Sequence, residues 1–277
     1  MYRIFTFAVI FVSMAMNAQT NRFIYDVEYR KDSTSTATTK ENYHLDIDAR
    51  DVKYYPRDFF VGDSMVVHNV EFPKEQKFNT SSILTHKLGT EQYEAYDLLE
   101  NIVLKLSSDA HQNWKLTGEK KKLKDLNLQK ATTTWGKRNW TAWFTADIPF
   151  QEGPYKFHGL PGLITELYDD QNNYRFELVK MQKIEKTYSN QYISYVLQNA
   201  VPVDETKNKI TKLNYYDAPV NALRNNHGAT KSTDDFFLND GTRVTAKNTR
   251  EVNELLREAI RKYNNPIEKG KAIKYPN

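Results

Sequence analysis

The sequence predicts an α+β fold that is mainly β: a curved, mostly antiparallel sheet built as a meander, with one or two packed helices. Three observations carry that expectation. Short segments alternating apolar and polar residues fill the first two thirds of the chain, the period-two signature of half-buried strands. Aromatic residues reach 13%, with 18 Tyr and 14 Phe, and flat rings suit a pleated surface. Helical periodicity is concentrated after residue 200.

Residues 1–18 read as a secretory signal peptide: Arg3 precedes the apolar run Ile4 to Met16, and small residues follow. The run is shorter than the ~20 residues a bilayer span needs. Cleavage fits after Ala18 or after Ala15. The chain has no cysteine, so disulfides, thiolate zinc sites, a thiol nucleophile and acylation of a lipoprotein cysteine are all excluded. The expected product is an exported protein, periplasmic or extracellular, soluble, not lipid-anchored and without a transmembrane segment. It must be held together by burial alone.

Phe23, Tyr25, Val27 and Tyr29 alternate with polar residues and predict the first strand. After a polar Ser/Thr stretch, Tyr43, Leu45 and Ile47 predict the second. Further strands are expected near Val52–Tyr55, Met65–Glu71, Ile83–Lys87, Tyr93–Leu106, Trp114–Leu116 and Leu123–Thr133. Thr132–Trp135 and Arg138–Thr145 flank Gly136-Lys137 and read as a hairpin. Leu163–Tyr168 is large on both faces and predicts a central strand, turning at Asp169–Asn173 into a return strand with Tyr174, Phe176 and Leu178. A helical segment is expected over Asp204–Tyr215. A C-terminal helix is expected at about 248–263, with Asn248 as N-cap, Glu251 completing a capping box, and one apolar stripe (Val252, Leu255, Leu256, Ala259, Ile260, Tyr263) laid on the sheet. Residues 266–277 read as a polar, poorly ordered tail. The expected organisation is one domain over 19–277.

Formal net charge is +4 and dispersed, apart from Lys120-Lys121-Lys122 with Lys124. That run reads as a solvated hairpin end, since no basic stripe with interleaved aromatics accompanies it, and nucleic acid is not an expected partner.

The segment Gly153 to Ile164 concentrates turn residues. Leu160-Pro161-Gly162-Leu163 fits a type II turn, with proline presetting φ and glycine taking positive φ. Pro149, Gly153 and Pro154 stiffen the loop that leads in, and Gly159 permits close backbone approach. With Ala142-Trp143-Phe144-Thr145, Asp147-Ile148-Pro149 and Gly153-Pro154-Tyr155-Lys156-Phe157 upstream, the hexapeptide Gly159–Ile164 resembles the GLPGLI family of exported proteins of certain Gram-negative bacteria. Gln129–Thr132 and Asn265-Pro266-Ile267-Glu268 are also similar to the family pattern. The resemblance covers most of the mature chain. Many relatives carry a cysteine where this chain has Leu128. The resemblance implies an envelope location and a sheet-rich fold, and it implies no settled activity.

Candidate chemistry is sparse. His44, Asp46 and Asp48 project from one strand face and could offer an imidazole and two carboxylates to a metal, although a solvent-facing strand gives the same alternation. No metal or cofactor is expected. His158 with Glu152 and Glu166 could form an acid/base set, although a histidine in a turn is more often a hydrogen-bonded surface residue. No catalytic residue is assigned. Asp169–Asn173 lacks calcium-loop spacing, and there is no Gly-x-Ser-x-Gly, His-Glu-x-x-His or phosphate loop. Trp143, Tyr155, Phe157 and His158 are the candidate binding residues, with Trp140 or Trp143 in the core depending on which face packs. The leading expectation is a non-enzymatic binding or assembly protein for a hydrophobic ligand, a peptide or an outer-membrane protein, with an outline like that of periplasmic lipoprotein carriers. The alternative is a carboxylate/histidine hydrolase acting on an envelope substrate.

Overall fold

The structure, a computed structural model, describes residues 19–68, 82–99, 102–184, 191–226, 235–238 and 240–276. The expected signal peptide lies outside them. Among the described residues, no helix is long and apolar enough to cross a membrane.

Among the described residues, twelve strands form one open sheet. β1 (Thr20–Tyr29), β2 (Thr39–Ile47) and β3 (Asp51–Pro56) lead into helix α1 (Arg57–Val67). Then come β4 (Ser82–Lys87), β5 (Gln92–Leu99), β6 (Ile102–Asp109), β7 (Lys115–Leu123), β8 (Leu126–Trp135), β9 (Arg138–Thr145), β10 (Leu163–Asp169) and β11 (Tyr174–Ile184). Helix α2 (Gln191–Gln198), the short β12 (Val201–Pro202), α3 (Glu205–Asp217) and α4 (Pro219–Asn226) follow. A two-stranded ribbon, β13 (Phe236–Phe237) with β14 (Arg243–Val244), precedes α5 (Thr249–Lys262). The order across the large sheet is β12-β6-β5-β4-β3-β2-β1-β11-β10-β9-β8-β7. Every pairing is antiparallel except β12 with β6, so two meanders are joined where β1 pairs β11.

The sheet has to curl. β6 and β7 stand ten strand positions apart, about 50 Å if the sheet were flat. Yet residues 110–114 connect them, a reach of at most about 20 Å. Alternation then sorts side chains to two faces. Phe23, Tyr25, Val27 and Tyr29 share the inner face with Tyr43, Leu45, Tyr54 and Leu84 through the strand registers. These pack with Trp140, Ala142, Phe144, Phe176 and the loop residues Phe157 and Leu160 into the main core. On the outer face Tyr55, Ile83 and Tyr96 form a second core with Phe59 of α1 and Ile193 and Val196 of α2.

Several expectations change. Among the described residues there are five α-helices, not one or two. Met65, expected in a strand, lies in α1, and 69–71 fall outside the described residues. Tyr93–Leu106 is a hairpin of β5 and β6, not one strand. The expected helix over 204–215 is α3, with the Asp204 carboxylate accepting from the Lys207 N–H at 2.7 Å. The Gly136-Lys137 hairpin is present with both residues at positive φ. The C-terminal helix is present as α5, but its stripe does not lie on the sheet. Val252 packs with Val220, Phe236 and Val244 in a third core, while Leu255 and Tyr263 are exposed. Asn248 forms no capping box either; its side-chain oxygen accepts from the Thr245 N–H. The segment after α5 is no loose tail. Arg138 donates to the carbonyls of Ile267 and Pro266 at 3.0 and 2.9 Å, and the Tyr275 ring stacks on Tyr216.

Candidate functional site

The loop at 146–162 folds back across the inner face and fixes the site. Its exit is set by Gly162, at φ 141°, where a Cβ would lie 2.0 Å from the Thr145 carbonyl oxygen. Only glycine fits there, because the obstacle is backbone. The expected type II turn is not formed. The Gly162 N–H donates to the Leu160 carbonyl at 2.7 Å, a tighter turn centred on Pro161, and the Leu163 N–H is taken by Ile148. The loop's other backbone groups are paired as well, Gly159 N–H to Gln151 and Ile164 N–H to Glu152. The rigid turn thus delivers Tyr155, Lys156 and Phe157 to the sheet's inner face.

Phe157 is fully buried, edge-on to Trp140 at 4.7 Å and to Trp135 at 5.0 Å. It is a core residue. Tyr155 and Lys156 instead border a cavity of about 400 Å³. Val27, Tyr29, Tyr43, Tyr54, Leu84 and Phe176 form much of its sheet wall, and α3 and the segment after α5 close its rim. Lys156 is 2% exposed. Its ammonium donates to Glu268 at 2.7 Å and to Ser108 at 2.9 Å. Burial holds the Lys156 pKa below the ordinary lysine value, and Glu268 opposes that shift. At Glu268 burial pushes upward, but the Lys156 charge and hydrogen bond outweigh it and hold the carboxyl below its usual value. Tyr155 adds a hydrogen bond to the same carboxylate at 2.8 Å.

His158 is half-buried, its Nδ1 2.9 Å from the Lys156 carbonyl oxygen. The expected acid/base set is split. Glu166 lies on the outer face, where Lys121 donates to it at 2.7 and 2.8 Å and sits 4.3 Å from the Trp143 ring centroid. Trp143 is therefore not brought together with Tyr155, Phe157 and His158; Trp140 is the core tryptophan. Glu152 meets a histidine that the sequence did not single out: His86 Nε2 lies 3.2 Å from its carboxylate, both side chains buried. His86 Nδ1 faces the Thr90 carbonyl at 3.2 Å, and the ring stacks on Tyr93 at 4.2 Å and lies 6.3 Å from His158. Both ring nitrogens of His86 thus face acceptors.

The His44, Asp46, Asp48 row serves the fold. Asp46 takes two hydrogen bonds from Arg22 at 2.7 Å and one from Tyr55 at 2.6 Å. Asp48 accepts the N–H groups of Arg50 and Asp51 in the β2–β3 turn. Among the described residues, no group of three or more metal-binding side chains is placed to hold an ion.

A family described as "Protein of unknown function (Porph_ging)" matches residues 90–166, a stretch from β5 to the start of β10. No curated protein matches the chain. Among solved structures, "Structure of PNGF-II in C2 space group" is similar at 16% identity over 68% of this chain, with a TM-score of 0.49. "Structure of PNGF-II in P21 space group" gives 18% over 69%, also at 0.49. The chain spans about a third of the length of those chains, 31% and 32%.

Proposed function

We propose that this is an exported GLPGLI-type protein that binds a small hydrophobic ligand in the cavity under the glycine-proline loop, without catalysing a reaction on it. The observation that carries the reading is the cavity itself: about 400 Å³, within the size range of small-molecule sites, with an apolar and aromatic sheet wall and charged side chains paired with one another in the rest of its lining. The hexapeptide 159–164 falls at the end of the segment matched by the family of unknown function, and the loop that leads into it supplies part of the cavity wall through Tyr155 and Lys156. In outline, a curled sheet holding a ligand on its inner face is comparable to periplasmic lipoprotein carriers, by analogy of fold alone. An exported location follows from reading residues 1–18 as a signal peptide. Native mass spectrometry of protein purified from its own cell envelope tests the binding reading. A co-purifying small molecule, lost on unfolding, is expected; a bare polypeptide mass that also takes up no apolar probe would sink it.

The hydrolase reading stands second, on the contact between His86 and Glu152 with His158 nearby. None of the three lines the cavity. Turnover of ester or glycoside substrates that disappears in Glu152→Gln would promote it.

A further inference from the structure

We infer that the cavity selects an uncharged molecule, largely apolar with one hydrogen-bonding group, and that the Tyr54 hydroxyl is the group that recognises it. This rests on the binding reading above. Two independent observations carry it.

The first is the charge inventory. Six ionisable Lys, Asp and Glu side chains border the cavity, three lysines and three carboxylates, and each cation has its anion. Lys156 pairs with Glu268 at 2.7 Å, Lys212 with Asp97 at 2.9 Å, and Lys271 with Glu205 at 2.9 Å and with Glu268 at 3.4 Å. A charged ligand would have to break one of these pairs or enter without a counter-ion, and an uncompensated charge at the end of the cavity where the Lys156 side chain is 3% exposed is disfavoured. A neutral ligand meets no such obstacle.

The second is Tyr54. The residue is 4% exposed, its ring stacks on Tyr43 at 4.9 Å, and it lines the cavity. Its hydroxyl is closed off from solvent and has no hydrogen-bond partner in the protein. Three other tyrosines of the wall are engaged: Tyr43 donates to Glu41, Tyr155 to Glu268 and Tyr174 to the Asn265 carbonyl. The Tyr29 hydroxyl is also buried without a hydrogen-bond partner, but it has the Glu41 carboxylate beside it. A buried hydroxyl both donates and accepts, so it can pair with a neutral carbonyl, hydroxyl or amine, and buried polar groups in native proteins are overwhelmingly paired. The surrounding rings and aliphatic side chains would hold the apolar body.

Two fluorescent probes sharing an arylamine scaffold make the test: neutral N-phenyl-1-naphthylamine, and its anionic sulfonate relative 1-anilinonaphthalene-8-sulfonate. Each is titrated into the full chain, into Tyr54→Phe and into Ala95→Phe, which adds bulk to the same sheet wall two strands from Tyr54, with thermal melts confirming that each variant folds. The neutral probe is expected to bind saturably and at least tenfold more tightly than the anion. Tyr54→Phe should weaken it about tenfold, the loss of one hydrogen bond in a closed site, and Ala95→Phe should abolish it. Equal or tighter binding of the anion in the same cavity overturns the neutral-ligand inference and leaves the binding reading standing. Unchanged affinity in Tyr54→Phe overturns the role of the hydroxyl. If neither probe binds, or if binding ignores both variants, the inference and the binding reading fall together.

Discussion

Lys156 and Glu268, 112 positions apart, meet at 2.7 Å under the inner face and tie the glycine-proline loop to the segment after α5. The lysine side chain is 3% exposed and the carboxylate 13%. Removing one partner of such a pair strands a buried charge, whereas replacing both with apolar groups is far milder. Glu268→Gln is therefore expected to cost roughly 3 kcal/mol, and the double change Lys156→Met, Glu268→Leu should recover most of that loss. Urea midpoints of the wild type, Glu268→Gln, Lys156→Met, Glu268→Leu and the double measure it; additive effects of Lys156→Met and Glu268→Leu would show that the two residues are not coupled.

Gly162 and Gly159 make a controlled comparison within one motif. Both have positive φ, but a Cβ at Gly162 strikes the Thr145 backbone while one at Gly159 meets nothing within 4 Å. Gly159→Ala should cost only the left-handed backbone strain, about 1–2 kcal/mol. Gly162→Ala should cost more than about 4 kcal/mol, because the strand start must shift. Thermal melts rank the two, and equal destabilisation would mean that the clash at Thr145 relaxes freely.

Arg138 decides whether the last residues stay docked. Its guanidinium donates to Asp169, to the Asn265 side chain and to the carbonyls of Pro266 and Ile267. A lysine keeps the charge but cannot present that fork. Arg138→Lys is expected to speed amide exchange across residues 267–273 at least tenfold, the equivalent of about 1.4 kcal/mol, with strand β1 unaffected. Hydrogen exchange read by mass spectrometry tests it, and unchanged protection of that segment would count against the role given to Arg138.

What could be read in advance was local. The alternation of Phe23, Tyr25, Val27 and Tyr29, the Gly136 turn and the helical segment from Asp204 each depend on a few adjacent residues, and the structure has all three. What could not be read depended on which surface an element would meet. The stripe of α5 has real helical period, but periodicity does not name its partner, and Val252 packs on Val220 and Phe236 instead of on the sheet. Residues 266–276 look like a polar tail because Glu268 and Lys271 are charged; only folding brings Lys156 and Glu205 to them. The cavity was hidden for the same reason, since Tyr29, Tyr43 and Tyr54 signal strand pattern individually and become one wall only through the registers of β1, β2 and β3. His86 carried no signal beyond an ordinary strand position, and Glu152 meets it from 66 positions further along the chain.

His44 gives the fold an acid limit. It is 3% exposed, edge-on to Tyr55 and tilted against Phe60. Burial pushes its pKa from 6.5 down to about 4; the nearby Arg22 and Arg57 charges add to the shift and Asp46 opposes it. The unfolded chain therefore binds a proton at His44 before the folded one does. The contribution is fully present above about pH 6.5 and is lost as pH falls through about 4. It amounts to on the order of 3 kcal/mol. His44→Leu, which cannot titrate, should flatten the fall in unfolding free energy between pH 6.5 and 4 by about that amount, as measured by urea denaturation at several pH values in that window. If wild type and variant lose stability in parallel on acidification, the neutral buried imidazole is not what sets the limit.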